Sequence, residues 1–554
     1  MKKYILSLFG ALVISGCSLD PVFYSSVTPD KNYESPATIY AALARPFTHW
    51  RWFQTYEPWF LQECSSDEMC TPQRYSHWED GGRWAELHHH TWTPDHYSVA
   101  ETWRGIGMGI SMAYNIAEEL SNVDYVKCGL NDEVKLSHQH QLKALVAYFY
   151  IEGLDFFGGM PIYTGYTLEE KPRSTARETF DFIEKTLKEA IDYLEPYQKG
   201  DLHDGFITKG AAAAMLAQLY FNAISYIGED RFDECAVICK DIIDKKYGAY
   251  ELAKTWNEPF GFDNDKCAEN IWQAPSENSK YQYSWYFSQS SPYNIAEYYD
   301  IPSFGAYNGV CLQPSLKPTG EEYDDGWKLG KPFSKFHEND VRKQLYVYQG
   351  SKKYDGMFLM GSLVNPKTGK SCKGSYEYKD GIIELVDYIA PMKQLGVQYP
   401  DVALLPSDIT SGEENSGVRL VKYPTPNSAD MNYRWNPDYP VIRLAEIYYM
   451  LAECRYREGE LSEAADLFNA VRKRNFSSDP DPVTAELDQW RILDEWMLEF
   501  IGEGRRRTDL IRWNVFTTQP WWDHQPKNSD HLKIFPIPTS AHSSSNIIKP
   551  NPGY

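Results

Sequence analysis

The chain has 554 residues, 42% hydrophobic and 24% charged, enough for one large core or two to three merged domains of ordinary globular composition. With 77 Asp and Glu against 55 Lys and Arg its formal net charge is −22, which repels phosphate backbones and argues against nucleic acid as a partner. Aromatic residues reach 15%, with 17 Trp, 41 Tyr and 25 Phe, and that many amphipathic rings point to surface use beyond core filling.

Lys2 and Lys3 open the chain ahead of an apolar run, Tyr4 to Ile14, too short for a membrane span and suited to a secretory signal. The run ends in Ile14-Ser15-Gly16-Cys17, similar to a bacterial lipobox, so residues 1–16 read as a lipoprotein signal peptide and Cys17 as the lipid attachment. Ser18 follows, so the inner-membrane retention signal of enterobacterial lipoproteins, an Asp there, is absent. Two or more acyl chains would anchor the protein stably, at about 0.8 kcal/mol per buried CH₂. Residues 17–33 then form a lipidated tether, containing Pro and Ser and lacking any pattern. No other segment is apolar enough to cross a membrane.

Residues 34–246 read as a helical region. Within it RYSHWEDGGRWAELHHHTW, Arg74 to Trp92, packs three tryptophans, four histidines and two glycines into a loop-like run. Gly105-Ile106-Gly107-Met108-Gly109 lacks dinucleotide-binding spacing, lies in the helical pattern after Trp103, and reads as close helix packing. Helices are expected over Leu142 to Phe157, stopped by Gly158-Gly159 and Pro161, over Phe180 to Leu194, and over Lys209 to Ile227, where Ala211 to Ala214 allow close contact. Leu216 to Lys246 has the length of a tetratricopeptide-like helix pair, turning near Gly228 to Asp230. Residues 247–554 begin with a long irregular stretch to Pro440, rich in Gly, Pro, Asn, Asp and aromatics, with runs such as Gly381 to Tyr388 reading as strands; loops that long are usually functional. A clearer helix pair follows at 441–474, with Gly459 at its turn and Ala464 and Phe468 at its packing positions. Aligned on the turns, Cys235 and Cys239 fall where Ala464 and Phe468 lie, so they read as packing rather than as metal ligands.

The fold class is therefore mainly α: tetratricopeptide-like pairs forming a helical framework, with long loops and a few short strands carrying a ligand site.

Catalytic signatures are sparse. There is no nucleophile elbow, no H-E-x-x-H and no phosphate-binding loop. Asp263-Asn264-Asp265 begins like a calcium loop but has Ala268 where the turn needs glycine. A glycosidase-like carboxylate pair is one possibility among 77 acidic residues. His88-His89-His90 invites a metal, yet consecutive side chains diverge, and His96 nearby does not complete a recognised ligand set; no metal and no cofactor is assigned. Nine cysteines besides Cys17 do not make a disulfide framework, although Cys64 and Cys70 are close enough for a local bridge.

The aromatic reading is stronger. A pyranose ring offers axial C–H groups on its faces and hydroxyls around its rim, which suits indole or phenol faces flanked by Asp, Glu, Asn and Arg. Trp78, Trp84 and Trp92 among Asp67, Glu68, Arg74, Glu79 and Asp80 have that composition, with Gly81 and Gly82 for a tight turn. Tyr281, Tyr283, Trp285, Tyr286, Tyr293, Tyr298 and Tyr299 form a second cluster, with Trp327 further on. Some of these rings fill core, since Trp is highly buried on average. The ligand-binding candidates are Asp67, Arg74, Trp78, Trp84, Trp285, Tyr293 and Trp327.

Several segments together resemble the SusD/RagB family of outer-membrane nutrient-binding lipoproteins. They are the lipobox at Cys17, Ser65 to Pro94 with Trp103, Gly109, Ile110 and Asn115, Gln141 to Thr164, Gly205 to Ala223, Tyr439 to Glu453, Leu493 to Trp513, and the ending FPIPTSAHSSSNIIKPNPGY. Both ends and most of the middle are covered, in the family's order; Lys549-Pro550 stands where the family often has Gln. The resemblance implies a lipid-anchored, outward-facing, non-catalytic protein that passes oligosaccharide to a SusC-like TonB-dependent transporter. It also implies that Glu503, Arg505, Arg506, Arg507 and Asp509 are structural. The alternatives are peptide cargo, as in the RagB branch, and a helical glycoside hydrolase or lyase using a carboxylate pair.

Overall fold

A computed structural model describes residues 33–277, 289–323, 326–379, 381–392, 402–543 and 545–554. Cys17 and the signal peptide lie outside the described residues, as does Trp285 with Tyr281, Tyr283 and Tyr286.

The N-terminal half is built of helices: α1 (Pro36–Gln54), α2 (Glu57–Glu63), α3 (Arg83–His88), α4 (Tyr97–Ser121), α5 (Asp132–Phe157), α6 (Ala176–Ile191), α7 (Lys209–Phe221) and α8 (Phe232–Ile243). Their ends follow local chemistry. The Asn131 side chain accepts from the Val134 amide at 2.9 Å to start α5, and Gly158, at φ 74°, stops it. Thr175 and Glu178 form a reciprocal capping box on α6, so that helix begins before the expected Phe180 and ends before Leu194. The expected helix from Lys209 to Ile227 breaks at Asn222, whose amide side chain bonds the Gln218 carbonyl at 3.1 Å; a single turn, Ala223–Tyr226, follows.

Helix contacts are close where the small residues predicted them. Ala211 to Ala214 are wholly buried, and α7 packs against α6 and α8. In α4, a Cβ on Gly105 would lie 2.7 Å from the Phe53 ring and one on Gly109 2.2 Å from the Phe149 ring, so those glycines admit α1 and α5.

In the second half, α9 (Leu444–Glu458) and α10 (Leu461–Arg472) form an antiparallel pair around Gly459, which takes the left-handed conformation at φ 87°. Ala464 and Phe468 are fully buried, as are Cys235 and Cys239, and α8 packs on α9. Val441 to Arg443 are not helical. They belong to a buried strand that its apolar, β-branched residues and Pro440 favour over helix. The last long helices are α11 (Gln489–Phe500) and α12 (Arg506–Arg512).

Among the described residues the sheets are all two-stranded. In chain order the strands that matter here are β1 (Met69–Cys70), β2 (Asn270–Ala274), β3 (Cys311–Leu312), β4 (Phe358–Leu359), β5 (Arg419–Leu420) and β6 (Tyr439–Arg443). The antiparallel pairs are β1 with β3, β2 with β6 and β4 with β5. Glu384–Leu385 pairs with Gly361–Ser362, inside the run expected to be extended.

A buried ionic network ties the loops to the helices. Arg443 bonds Glu269 at 2.8 Å, Glu499 at 2.9 Å and Glu503 at 2.7 Å, while Arg474 and Arg342 reach the same Glu499 at 2.6 and 3.1 Å. Burial would raise the Glu499 carboxyl, but these cations hold it far below the usual carboxylate range. The arginine run is structural: Arg505 pairs with Glu446 and Asp509, Arg506 with Asp67, and Arg507 with Asp155.

Candidate functional site: an aromatic shelf

The stretch that begins at Arg74 makes a tight turn, Arg74 and His77 exchanging backbone hydrogen bonds at 2.8 and 2.9 Å. Beneath it the Arg74 guanidinium is buried and donates to the carbonyls of Glu413 at 2.5 Å, Ser416 at 2.9 Å and Gly309 at 2.9 Å. One side chain thus fastens two distant segments to its own, and the rings stand above them.

Trp78 lies across Gly309, where any Cβ would sit 2.4 Å from the indole, and its N–H donates to the Tyr307 carbonyl at 2.7 Å. His77 is 4.1 Å from Tyr376 and 6.0 Å from Tyr293 between ring centroids, and Tyr293 meets Tyr376 edge-on at 5.3 Å. Asn294, next to Tyr293, donates to the carbonyls of Lys373 and Gly374 and to the Ser375 hydroxyl, which ties the loop bearing Tyr376 to the segment bearing Tyr293. The Glu414 carboxylate accepts from the Ser375 amide at 2.8 Å. Tyr75, Tyr307 and Tyr376 are 44, 47 and 55% exposed; His77, Trp78 and Tyr293 are half-buried.

The backbone is strained where the rings are presented. Tyr75, Trp78 and Tyr376 have φ of 54, 62 and 47°, the left-handed region that bulky residues avoid. Such outliers persist only where the surroundings impose them, and they gather at functional sites. The shelf offers flat π faces with phenol and indole edges, complementary to a ligand with apolar faces and a polar rim. Burial pushes the Tyr293 hydroxyl up to about 12, so it stays a neutral donor at ordinary pH.

The acidic residues of the stretch hold its shape. Glu79 accepts from the Gly81 amide at 3.1 Å and Asp80 from the Trp84 indole at 2.7 Å, across a turn whose Gly81 and Gly82 both take positive φ.

Of the residues singled out from sequence, Trp78 and Tyr293 come together here. Three do not reach a surface ligand. Asp67 is fully buried, because its carboxylate is bound by Arg506 at 2.7 Å and by the Gly330 amide at 2.7 Å. Arg74 is buried beneath the shelf by its carbonyl bonds. Trp84 is 4% exposed, enclosed by Phe60 and Trp78 at 5.0 and 5.6 Å. Trp327 is half-buried and stacks near Tyr323 at 5.1 Å rather than with these rings. Trp285 lies outside the described residues; the chain resumes at Gln289, whose carbonyl accepts from the Gly309 and Val310 amides at 2.6 and 3.1 Å. Sequence reasoning missed Tyr75, His77, Tyr307 and Tyr376, which carry no motif and are brought together by long-range bonds such as those of Arg74, Trp78 and Asn294.

The histidines diverge as consecutive residues should. His88 bonds the Trp522 carbonyl at 2.9 Å, His89 the Asp523 carboxylate at 3.0 Å and His90 the Ser65 carbonyl at 2.7 Å. Burial lowers His88 and His90 to about 3, so both are neutral. His88, His89 and Asp523 are the one group among the described residues with ligand atoms within 4.8 Å of one another. Both His88 nitrogens already have partners, the second being the Gln313 amide at 3.3 Å, so a metal there would have to displace one. Cys70 faces Cys311, while Cys64, close enough to Cys70 in sequence for a local bridge, meets the Thr71 hydroxyl at 3.6 Å.

No helix among the described residues is long and apolar enough to cross a membrane. The family model described as "SusD family" matches residues 268–554, and one described as "Starch-binding associating with outer membrane" matches residues 29–221. The starch-binding protein SusD of Bacteroides thetaiotaomicron is 25% identical over 513 residues, 88% of this chain and 84% of that protein. SusD-like protein P25 of Formosa agariphila is 23% identical over 429 residues, 76% of this chain and 71% of that one. Among solved structures, surface glycan-binding protein A from Bacteroides uniformis superposes with a TM-score of 0.65 at 18% identity, covering 93% of this chain and 99% of that one. The Bacteroides thetaiotaomicron protein of the same name, in complex with laminarihexaose, gives 0.65 at 16% identity with the same coverage. By the match over its C-terminal half and more, the chain belongs to the SusD family.

Proposed function

We propose that the chain is a non-catalytic, lipid-anchored cell-surface protein that captures oligosaccharide on the aromatic shelf. It then passes the sugar to a SusC-like TonB-dependent transporter of the outer membrane, closing over that barrel as a lid. The observation that carries this reading is the group of exposed and half-buried rings Tyr75, Trp78, Tyr293, Tyr307 and Tyr376, of which Tyr75, Trp78 and Tyr376 are held on strained backbone. Three relatives point the same way, one named for starch binding, one for laminarin binding and one seen with laminarihexaose. Of the carboxylates beside the shelf, Glu79, Asp80 and Glu414 each accept a local hydrogen bond that shapes the turn or loop bearing the rings.

Affinity electrophoresis of the protein lacking residues 1–17 against starch, laminarin and host and microbial polysaccharides tests the cargo class. Retardation by at least one glycan, without appearance of shorter products, is expected. No retardation by any glycan, with binding of peptides instead, would replace the reading with the peptide alternative. Product release abolished by one Asp or Glu substitution would replace it with the hydrolase. Co-purification of a TonB-dependent transporter with the lipidated chain from outer membranes tests the partner.

A further inference from the structure

Two buried arginines behind the shelf have no carboxylate. Arg74 gives its guanidinium to the carbonyls of Gly309, Glu413 and Ser416. Arg419 gives its to the carbonyls of Glu414, Ser416 and Gly417 and to the Asn308 side-chain oxygen. Neither makes an ion pair among the described residues, and the Nε of each is buried without a partner. Their charge is met by carbonyl dipoles from the segments on either side of the shelf, which pins those segments at this depth. Cys311 is the group on which both act. Burial alone would raise its thiol, but in the closed fold the Cys70 thiol, Arg74 and Arg419 hold it below the usual thiol range.

Cys311 also has a partner. It lies in β3 directly opposite Cys70 of β1, with the two sulfurs 3.8 Å apart and both side chains buried. Opposed residues of an antiparallel pair have Cα atoms about 4.5–5.5 Å apart, inside the roughly 4.4–6.8 Å that a disulfide spans.

We propose that Cys70 and Cys311 are joined by a disulfide in the exported protein, a cross-link that fastens the two strands on which the aromatic shelf is built. Arg74 follows Cys70 by four residues, and Gly309, the floor under Trp78, precedes Cys311 by two. The oxidant is a disulfide, carried by an oxidoreductase of the compartment or by a small thiol. The Cys311 thiolate attacks one of its sulfurs and expels the other as a thiolate, giving a mixed disulfide. Cys70 then loses its proton, attacks the Cys311 sulfur and releases the oxidant's remaining sulfur. Two thiols have lost two protons and two electrons, and the oxidant's disulfide has become two thiols. Because both sulfurs are buried in the finished fold, the exchange takes place before β1 and β3 close. Cys235 and Cys239 also approach to 3.8 Å, but they lie one turn apart on α8 rather than opposite each other in a strand pair, so a bond between them would join no separate segments.

The proposal rests on export of the chain and not on the nature of its cargo. The full chain, exported through its own signal, is denatured in N-ethylmaleimide with and without prior reduction, and its mass and peptides are read. Without reductant we expect two fewer adducts, with the peptides containing Cys70 and Cys311 linked. The difference should vanish in the C70S/C311S variant and persist in C235S/C239S. Equal adduct numbers in chain recovered from the envelope would overturn the disulfide alone. A link mapped to any other pair would overturn it as well, and chain recovered only from the cytoplasm would sink the disulfide and the export reading together.

Discussion

Trp78 rests on Gly309: a Cβ there would come 2.4 Å from Cζ2 of the indole and 2.5 Å from Cε2. The ring therefore owes its height above the floor to the absence of a side chain two residues before β3. Gly309→Ala is expected to tilt or lift the indole and break its bond to the Tyr307 carbonyl while the helical core stays intact. Unchanged melting with weakened glycan retention in affinity gels is the predicted outcome. Unaltered retention would mean that the orientation of Trp78 does not matter.

Asp67 tests whether the acidic residue singled out from sequence serves the ligand or the fold. Removing it leaves Arg506 buried and unpaired, which costs about 3–5 kcal/mol in comparable cases. Asp67→Ala should lower the melting temperature strongly, and Asp67→Asn, which keeps an acceptor for the Gly330 amide, should lower it less. A variant with native melting and lost glycan binding would return Asp67 to the ligand site.

Helix α4 contains its own control. Gly109→Ala drives a methyl into the Phe149 ring and should cost about 1–3 kcal/mol, the usual range for overpacking. Gly107→Ala meets nothing within 4 Å and should be neutral or stabilising by up to about 1 kcal/mol through helix propensity. Chemical denaturation of the two variants side by side checks the ordering.

Stability should also fall as pH rises from the ordinary carboxylate range to about 7 because of one carboxyl. Burial pushes Asp387 up to about 7, against the opposing bonds from Ser315. A raised carboxyl keeps its proton longer in the folded state than in the unfolded one. Its favourable contribution is thus complete below the ordinary carboxylate range and is lost as pH rises through about 7. Melting curves from pH 5 to pH 8 should show Asp387→Asn gaining on the wild type as pH rises. Parallel curves would contradict the assignment.

Much of the helical framework was legible because it rests on local rules. The alanine run at 211–214, the glycine at 459 and the stop at Gly158 each act within a turn of chain, and the structure uses them as expected. The small residues of α4 announced close packing, though not that Phe53 and Phe149 would fill the gaps. The shelf was half legible. Trp78 and Tyr293 stood out by composition, but composition does not say which of several neighbouring rings turns inward. Trp84 turns in because Asp80 holds its N–H and Phe60 meets its ring. Asp67 and Arg74 looked like ligand contacts because their partners lie hundreds of residues away, at Arg506 and at Glu413 to Ser416. Buried long-range pairs of that kind leave no local pattern.

The most direct test of the account is glycan binding by Trp78→Ala beside the wild type, with Trp285→Ala as a third protein, by calorimetry on an oligosaccharide from the polysaccharide that retards the wild type. Losing one stacking contact of about 0.5–1.5 kcal/mol predicts an affinity roughly 2- to 12-fold weaker in a Trp78→Ala protein that melts like the wild type. Wild-type affinity in that folded variant would contradict the claim that the shelf over Arg74 is where the sugar lies.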